Sequence, residues 1–123
     1  MSKEKQKGTS FEVMVLNYLK KMLPFMDLDR MPLKGSKDEG DIRGFKVRGL
    51  RCVLECKNCK SYKLSEWADE AEEEMGNADA DFWFVVFKRK RCGDKTMGKN
   101  FVLTDLETLA ALAAGSRELC GKG

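Results

Sequence analysis

The sequence predicts an α/β fold, in which helices cover a sheet. In the segment from Ala80 to Phe87, residues 82–87 are all apolar, as in a central strand that is covered on both faces. Two other segments, from about Ser10 to Leu23 and from about Ser65 to Met75, carry apolar residues at helical spacing. Shorter strand-like segments lie between and after them, so helices and strands share one chain.

The first helix is predicted from about Ser10 to Leu23. Thr9 and Glu12 have the spacing of a capping box, and Pro24 ends the helix. Glu12 also borders the apolar stripe that faces the sheet, so a structural and a catalytic role both stay open. The stripe consists of Phe11, Met14, Val15, Tyr18, Leu19, Met22 and Leu23.

Three strands are predicted next. Apolar and charged residues alternate from Met26 to Met31, as in a half-buried strand. After a loop at 33–40 that is rich in Gly, Lys and Ser, two strands are predicted at Asp41–Phe45 and Arg51–Lys57. Residues 46–49 form a hairpin-like connection between them.

The second helix is predicted from about Ser65 to Met75, with Ser65 as its N-cap and acidic residues in its first turns. Its apolar face is narrow and consists of Leu64, Trp67, Ala68, Ala71 and Met75. After the strand that ends at Phe87, a short strand is predicted at Phe101–Leu103. A second capping box, at Thr104 and Glu107, opens a last helix that runs to about Ala114 and ends at Gly115.

The length of 123 residues predicts a single domain over 1–123, with a core at about 7–104, a short C-terminal helix at about 105–114 and a flexible tail at 115–123. No apolar run approaches the roughly 20 residues that span a bilayer, and the N-terminus lacks the apolar core of a secretory signal. We therefore expect a cytoplasmic protein, and a phage or mobile-element origin fits the short length. The five cysteines are expected to be reduced thiols.

Composition narrows the chemistry further. The chain has no histidine, which removes His-based acid-base and nucleophilic catalysis and makes a catalytic zinc site improbable. The net charge of +3 is segregated: residues 1–63 carry +7, residues 64–87 carry −8 and residues 88–123 carry +4. If the acidic block is one solvent-facing helix, the rest of the surface is basic and suits a polyanionic partner, although solvated faces alone can give such blocks.

The most informative motif is an aspartate followed at strand distance by an acid-x-lysine triplet, Asp41 and then Glu55-Cys56-Lys57. Side chains alternate along a strand, so Glu55 and Lys57 are predicted to share one face while Cys56 points to the other. Two carboxylates with a lysine beside them are what metal-assisted phosphodiester hydrolysis requires. The motif therefore predicts a nuclease.

This motif and the order of elements resemble the PD-(D/E)XK nuclease superfamily. The resemblance implies a restriction-endonuclease-like core (α-β-β-β-α-β) with a central mixed sheet flanked by helices. Lys7-Gly8-Thr9-Ser10-Phe11-Glu12 is similar to the first helix of the Holliday junction resolvase branch, in which a Gly-x-x-x-Glu run supplies an additional active-site glutamate.

The resemblance also implies the roles of the site residues, with Glu12, Asp41, Glu55 and Lys57 as catalytic residues. Asp41, Glu55 and the main-chain carbonyl of Cys56 would hold Mg2+, with Mn2+ as an alternative. Lys57 would orient water or help to deprotonate it. The products would carry a 5′-phosphate and a 3′-hydroxyl, and no small-molecule cofactor is expected.

The partner implied by the resemblance is DNA, branched in the resolvase reading, and the assembly is a homodimer because two symmetric cuts need two active sites. Residues expected at the mouth of the site, where phosphates would pass, are Lys7, Lys34, Ser36, Lys37, Lys60 and Lys63. The run Lys88-Arg89-Lys90-Arg91 is interpreted either as a phosphate contact or as a soluble strand end.

Three alternatives stay open at this point. The chain could be another PD-(D/E)XK nuclease that acts on single-stranded or flap DNA, or a DNA-binding module that retains the fold without activity. Cys56 and Cys59 could also belong to a structural zinc site. Such a site usually takes four ligands in two close pairs, and the sequence offers no second pair.

Overall fold

The structure, a computed structural model, describes residues 3–32 and 37–115. Its helices are α1 (Lys3–Met22), α2 (Leu64–Ala78) and α3 (Leu106–Ala114), with a 3-10 helix at Asp94–Lys99. Its strands are β1 (Asp29–Arg30), β2 (Ile42–Arg43), β3 (Lys46–Val47), β4 (Leu50–Lys57), β5 (Phe82–Phe87) and β6 (Phe101–Leu103). Among these helices, none is long and apolar enough to cross a membrane.

The strands form one mixed sheet in the order β1-β2-β4-β5-β6, and β3 pairs with β4 beside this path. The β4–β5 pair is parallel and the other pairs are antiparallel. Helix α2 makes the crossover between the two parallel strands, as parallel neighbours require. The predicted α/β class, with a mixed sheet flanked by helices, is confirmed.

Each face of the sheet has its own apolar cluster. Phe11, Val15 and Leu16 of α1 pack with one face of the central strands, which includes Leu54 and Phe84. On the opposite face, α2 packs against the sheet and forms a second cluster with it. This cluster consists of Trp67, Ala71 and Ala78 of α2 and of Val53, Trp83, Val85 and Phe87 of the sheet. Because β5 is covered on both sides, its apolar run gave the right prediction of a central strand.

Helix α1 starts earlier than predicted, at Lys3 instead of Ser10. Thr9 therefore lies inside the helix, and its predicted role as the N-cap was wrong. The residues ahead of it are mostly good helix formers, so the helix extends through them. The predicted end before Pro24 is confirmed, since α1 ends at Met22.

The strands that precede β4 are shorter than predicted. Of the first predicted strand only Asp29–Arg30 is a strand in the structure, and of the second only Ile42–Arg43. Gly44 has a φ of +89°, which turns the chain out of the second strand. The chain then returns as β3, and Arg48 and Gly49, with φ of 53° and 78°, form the tight turn into β4.

Both predicted N-caps in the second half of the chain were also wrong. Helix α2 begins at Leu64, with Lys63 as an N-cap that makes no side-chain hydrogen bond, rather than at Ser65. Helix α3 is capped by Asp105, whose side chain accepts from the N–H of Thr108 at 2.8 Å. Thr104 instead donates to the carbonyl of Trp83 at 2.6 Å. The predicted end of α3 at Gly115 is confirmed.

Candidate metal and nucleic-acid site

Asp41 lies next to the triplet that the sequence paired it with. Its N–H donates to the carbonyl of Leu54 at 2.9 Å, which ties the start of β2 to β4. Its carboxylate oxygen Oδ2 accepts a hydrogen bond of 2.8 Å from the N–H of Cys56, the middle residue of the triplet. The two parts of the motif, separated along the chain, therefore meet at one place on the sheet.

Gly40 allows this close approach. It is buried and has a φ of +100°, a conformation that other residues rarely adopt. A Cβ at this position would lie 3.1 Å from Cγ1 of Val53 and 3.2 Å from the carbonyl oxygen of Leu54. The glycine thus lets the chain run tightly against β4 just before Asp41.

Glu55 and Lys57 lie on one face of β4, as alternation predicts. Nζ of Lys57 is 3.7 Å from Oε2 of Glu55 and donates a hydrogen bond of 2.9 Å to Oε2 of Glu70, a residue of α2. Glu55 is buried, whereas Glu70 is half-buried. Lys57 therefore bridges a buried carboxylate of the sheet and a half-buried carboxylate of the helix.

Two further acids surround Glu55. One oxygen each of Asp38, Glu55 and Glu74 lie within 4.8 Å of one another, which is close enough for one metal ion. Glu74 comes from the inner face of α2, and Asp38 from the segment that leads to Gly40. All ligand atoms of this cluster are carboxylate oxygens, and it includes Glu55 of the predicted metal ligands.

The electrostatics follow from burial and from like charges. Burial raises the pKa of Asp41, Glu55 and Glu74, and neighbouring carboxylates raise each of them further. Burial lowers the pKa of Lys57, but its hydrogen bond to Glu70 and the charges of Glu55 and Asp41 more than offset this, so its pKa is raised. Lys57 keeps its positive charge while the acids beside it hold protons more tightly than usual.

One oxygen of each buried glutamate has no hydrogen-bond partner among the described atoms. These are Oε1 of Glu55 and Oε1 of Glu74. Glu55 and Glu74 can share a proton when one of them is neutral. When both are ionised, both can only accept, and neither Oε1 meets a donor in the part of the chain that the structure describes. Unpaired buried carboxylate oxygens fit a hard cation such as Mg2+, which binds oxygen ligands.

Glu12 forms an ion pair with Arg30, with 2.9 Å between Oε1 and Nε. It lies inside α1 and therefore does not act as the capping-box acid of the predicted helix start. Its charge contributes to the raised pKa of Asp41 and of Cys56, so its carboxylate lies on the side of α1 that faces the motif. The structure thus brings Glu12 towards Asp41, with Arg30 balancing its charge.

Part of the predicted DNA-binding set lines a groove of about 530 Å³ beside the end of β4. Its lysines are Lys7, Lys60, Lys88 and Lys90, and Asn58, Cys59 and Tyr62 complete the lining. The N–H of Lys88 donates to the carbonyl of Lys57 at 3.0 Å, so the groove adjoins the catalytic candidate. Lys37 and Lys63 are exposed outside this groove, and Lys34 and Ser36 lie outside the described residues.

Sequence reasoning missed Asp38, Glu70 and Glu74. For Glu74 a signal existed, because Trp67, Ala71, Glu74 and Ala78 follow one another at helical spacing and form the buried stripe of α2. A glutamate on such a stripe is unusual, since glutamate is almost never fully buried unless it is paired. Asp38 has two acidic neighbours, Glu39 and Asp41, so the sequence alone does not single it out.

No protein-family model matches this chain, and no curated protein matches it.

Proposed function

We propose that the protein is a Mg2+-dependent endonuclease that hydrolyses phosphodiester bonds in DNA. The observation that carries the proposal is the hydrogen bond from the N–H of Cys56 to Asp41. It holds the Asp41 carboxylate against the strand that presents Glu55 and Lys57 on its face. An acid, a second acid and a charged lysine then converge, as metal-assisted phosphoryl transfer needs.

The fold supports a restriction-endonuclease-like core. Helix α1 is followed by the antiparallel strands β1, β2 and β4, and then by α2 and the parallel strand β5. This order corresponds to the α-β-β-β-α-β arrangement that the sequence resemblance implies, with the two-residue β3 as an addition. The motif residues lie at the start of β2 and at the end of β4.

The chemistry of the chain's own residues suggests a division of roles. Asp41, Glu55 and the carbonyl of Cys56 would hold Mg2+, which when bound polarises a phosphoryl oxygen and makes a water more acidic. Because the pKa of Lys57 is raised, its ammonium would stabilise the negative charge that grows on the phosphate. This favours an electrostatic role for Lys57 over the role of a general base. Glu12, paired with Arg30, would position groups near Asp41.

The lysine groove supports DNA as the partner. Four lysines lie around one open groove that adjoins the main chain of Lys57. Phosphate contacts of this kind supply most of the sequence-independent affinity for DNA. A strand that followed the groove would pass the end of β4, where the carboxylates lie. The cytoplasmic location expected from the sequence is part of this proposal.

Within this class we propose a Holliday junction resolvase that acts as a homodimer. The proposal rests on the run that ends in Glu12 and on the approach of Glu12 to Asp41. Two active sites related by a two-fold axis would place one cut on each of two strands. A nuclease for flaps or single strands would use the same site residues with another substrate geometry.

The decisive experiment is to incubate the protein with four-way junction, flap, single-stranded and linear duplex DNA, with Mg2+ and with EDTA. Symmetric nicks across the junction, only with Mg2+, are the expected result. Digestion of single strands or flaps instead would identify the other nuclease class. Binding without cleavage of any substrate would identify a DNA-binding module.

Lys57→Ala tests the site assignment, with Lys46→Ala as the matched control. Lys46 pairs with Arg51 at the far end of β4, roughly 20 Å from Lys57 at the usual rise of a strand. K57A should lose at least 100-fold in cleavage rate while it still binds DNA, and K46A should cleave as the wild type does. Full cleavage by K57A would refute the assignment.

A further inference from the structure

Helix α2 carries a glutamate, Glu74, on the face that packs against the sheet. Glu74 is 4% exposed and shares its buried stripe with Trp67, Ala71 and Ala78. No basic side chain lies within ion-pair distance of it among the described residues. A buried carboxylate without a cation is expensive, because its desolvation is not offset by pairing.

Two hydrogen bonds fix Asp38 close to the helix that carries Glu74. Nδ2 of Asn77, on α2, donates to the carbonyl of Asp38 at 2.8 Å. Oδ1 of Asp38 accepts from the N–H of Gly40 at 2.9 Å. The backbone of Asp38 is therefore attached to the helix that carries Glu74, and its carboxylate is the exposed member of the cluster.

Glu55 divides its two oxygens between different surroundings. Oε2 lies 3.7 Å from Nζ of Lys57, whereas Oε1 has no hydrogen-bond partner among the described atoms. Oε1 of Glu74 is unpaired in the same way. The cluster thus contains two buried carboxylate oxygens that lack a positive partner among residues 3–32 and 37–115, and both belong to residues that are more than nine-tenths buried.

The spacing of the three carboxylates suits one ion. Ligand oxygens on opposite sides of one Mg2+ are about 4.2 Å apart, and those of a Ca2+ about 5 Å, from the usual metal–oxygen distances. The oxygens of Asp38, Glu55 and Glu74 lie within 4.8 Å of one another. Asp38 at the open side leaves room for the waters that such ions keep.

We propose that Asp38, Glu55 and Glu74 form a divalent cation site for Mg2+, Mn2+ or Ca2+, separate from the site that Asp41 would form. Glu55 is the residue that the two sites share. The new site joins α2 to β4 and to the segment before Gly40. It does not depend on nuclease activity, because it follows from the spacing of the three carboxylates and from the oxygens of Glu55 and Glu74 that lack a partner among the described atoms.

The test is Mn2+ binding to the metal-free protein without DNA, measured by calorimetry and by electron paramagnetic resonance. Glu74→Gln keeps the size of the side chain and removes its charge, so we expect the dissociation constant of one Mn2+ to rise at least ten-fold. Glu73→Gln is the matched control, since Glu73 is the exposed neighbour on α2, and it should bind as the wild type does. Circular dichroism checks that each variant is folded.

Asp38→Asn provides a second test, because Asp38 is exposed and contributes no core packing. It should weaken the same Mn2+ even if E74Q fails to fold. Wild-type binding by D38N, or by a folded E74Q, would overturn the site and would mean that protons neutralise the cluster. Asp41→Asn separates this proposal from the nuclease: it should abolish cleavage and keep the Glu74-dependent Mn2+. Glu74-dependent binding in a protein that cleaves no DNA would refute the nuclease and leave the cation site standing.

Discussion

The N–H of Cys56 donates a hydrogen bond of 2.8 Å to Oδ2 of Asp41, and this bond joins the two halves of the acidic motif. The carboxylate takes a place in the strand pairing that a main-chain carbonyl usually fills. It occupies only one oxygen of Asp41, so the other is free of this contact. The Asp41 side chain therefore both fixes the position of its segment against β4 and supplies a carboxylate to the candidate site.

Asp41→Asn and Asp41→Ala should separate these two roles. The amide oxygen of D41N can still accept from Cys56, whereas D41A cannot, so D41A should be less stable than D41N by about 1 kcal/mol. Both lack the carboxylate, and both should lose at least 100-fold in cleavage rate. Urea unfolding and a cleavage assay measure the two effects, with Asp69→Asn on the exposed side of α2 as control. Equal stability of D41A and D41N would show that the hydrogen bond contributes nothing.

The stability of the metal-free protein should fall as the pH rises. Burial raises the pKa of Asp41 from 3.8 to about 6, that of Glu55 from 4.5 to about 8 and that of Glu74 from 4.5 to about 10. The folded protein thus binds protons that the unfolded chain has released, so the free energy of unfolding decreases between about pH 4 and pH 10. Melting temperatures in EDTA, measured from pH 5 to pH 8, test this.

Glu55→Gln should reduce that pH dependence, because the glutamine does not titrate, whereas Asp41 and Glu74 still do. Glu73→Gln, which removes an exposed acid from α2, should keep the wild-type slope. Mg2+ should raise the melting temperature more at pH 8 than at pH 5, since a cation binds the ionised carboxylates. A melting temperature that rises with pH in EDTA would contradict the effect of burial on these acids.

The sequence predicted the fold class and the central strand well because long apolar runs decide them. The apolar run Phe82–Phe87 predicts a buried strand, and it forms β5. Pro24 predicts a helix end just before it, and α1 ends at Met22. The start of α3 was predicted wrongly because two neighbouring polar residues, Thr104 and Asp105, compete for one cap. Asp105 was preferred to Thr104, whose hydroxyl bonds to Trp83 instead.

The motif could be read from strand alternation, but its surroundings could not. Alternation places Glu55 and Lys57 on one face, and it says nothing of which helix residues cover that face. Glu70 and Glu74 come from α2, and their contacts depend on how the helix is rotated against the sheet. Asp38 depends on Asn77, a pairing across 39 positions that no local pattern contains.

Gly40→Ala should destabilise the protein by about 1–3 kcal/mol and disturb the site. The added Cβ would meet Cγ1 of Val53 and the carbonyl of Leu54 at about 3.1–3.2 Å, and the φ of +100° is strained for alanine. Because Gly40 directly precedes Asp41, Mn2+ affinity should fall as well. Chemical denaturation and calorimetry measure both effects.

Gly8→Ala is the matched control for that substitution. Gly8 lies inside α1, and nothing lies within 4 Å of a Cβ at this position. Alanine is a better helix former than glycine, so G8A should leave stability unchanged or raise it by up to about 1 kcal/mol. Equal stability of G40A and G8A would contradict the close contact between Gly40 and β4.

If DNA binds in the lysine groove, its affinity should depend on salt through the lysines that line the groove. Lys60 and Lys90 line it, and each phosphate contact releases condensed counterions from DNA. Lys60→Ala and Lys90→Ala should each reduce the slope of log K against log salt by about 0.9 on duplex DNA. Lys46→Ala should leave the slope unchanged, since Lys46 lies at the opposite end of β4. Titrations in EDTA at several salt concentrations isolate binding from cleavage, and an unchanged slope in both groove variants would place the DNA on another face.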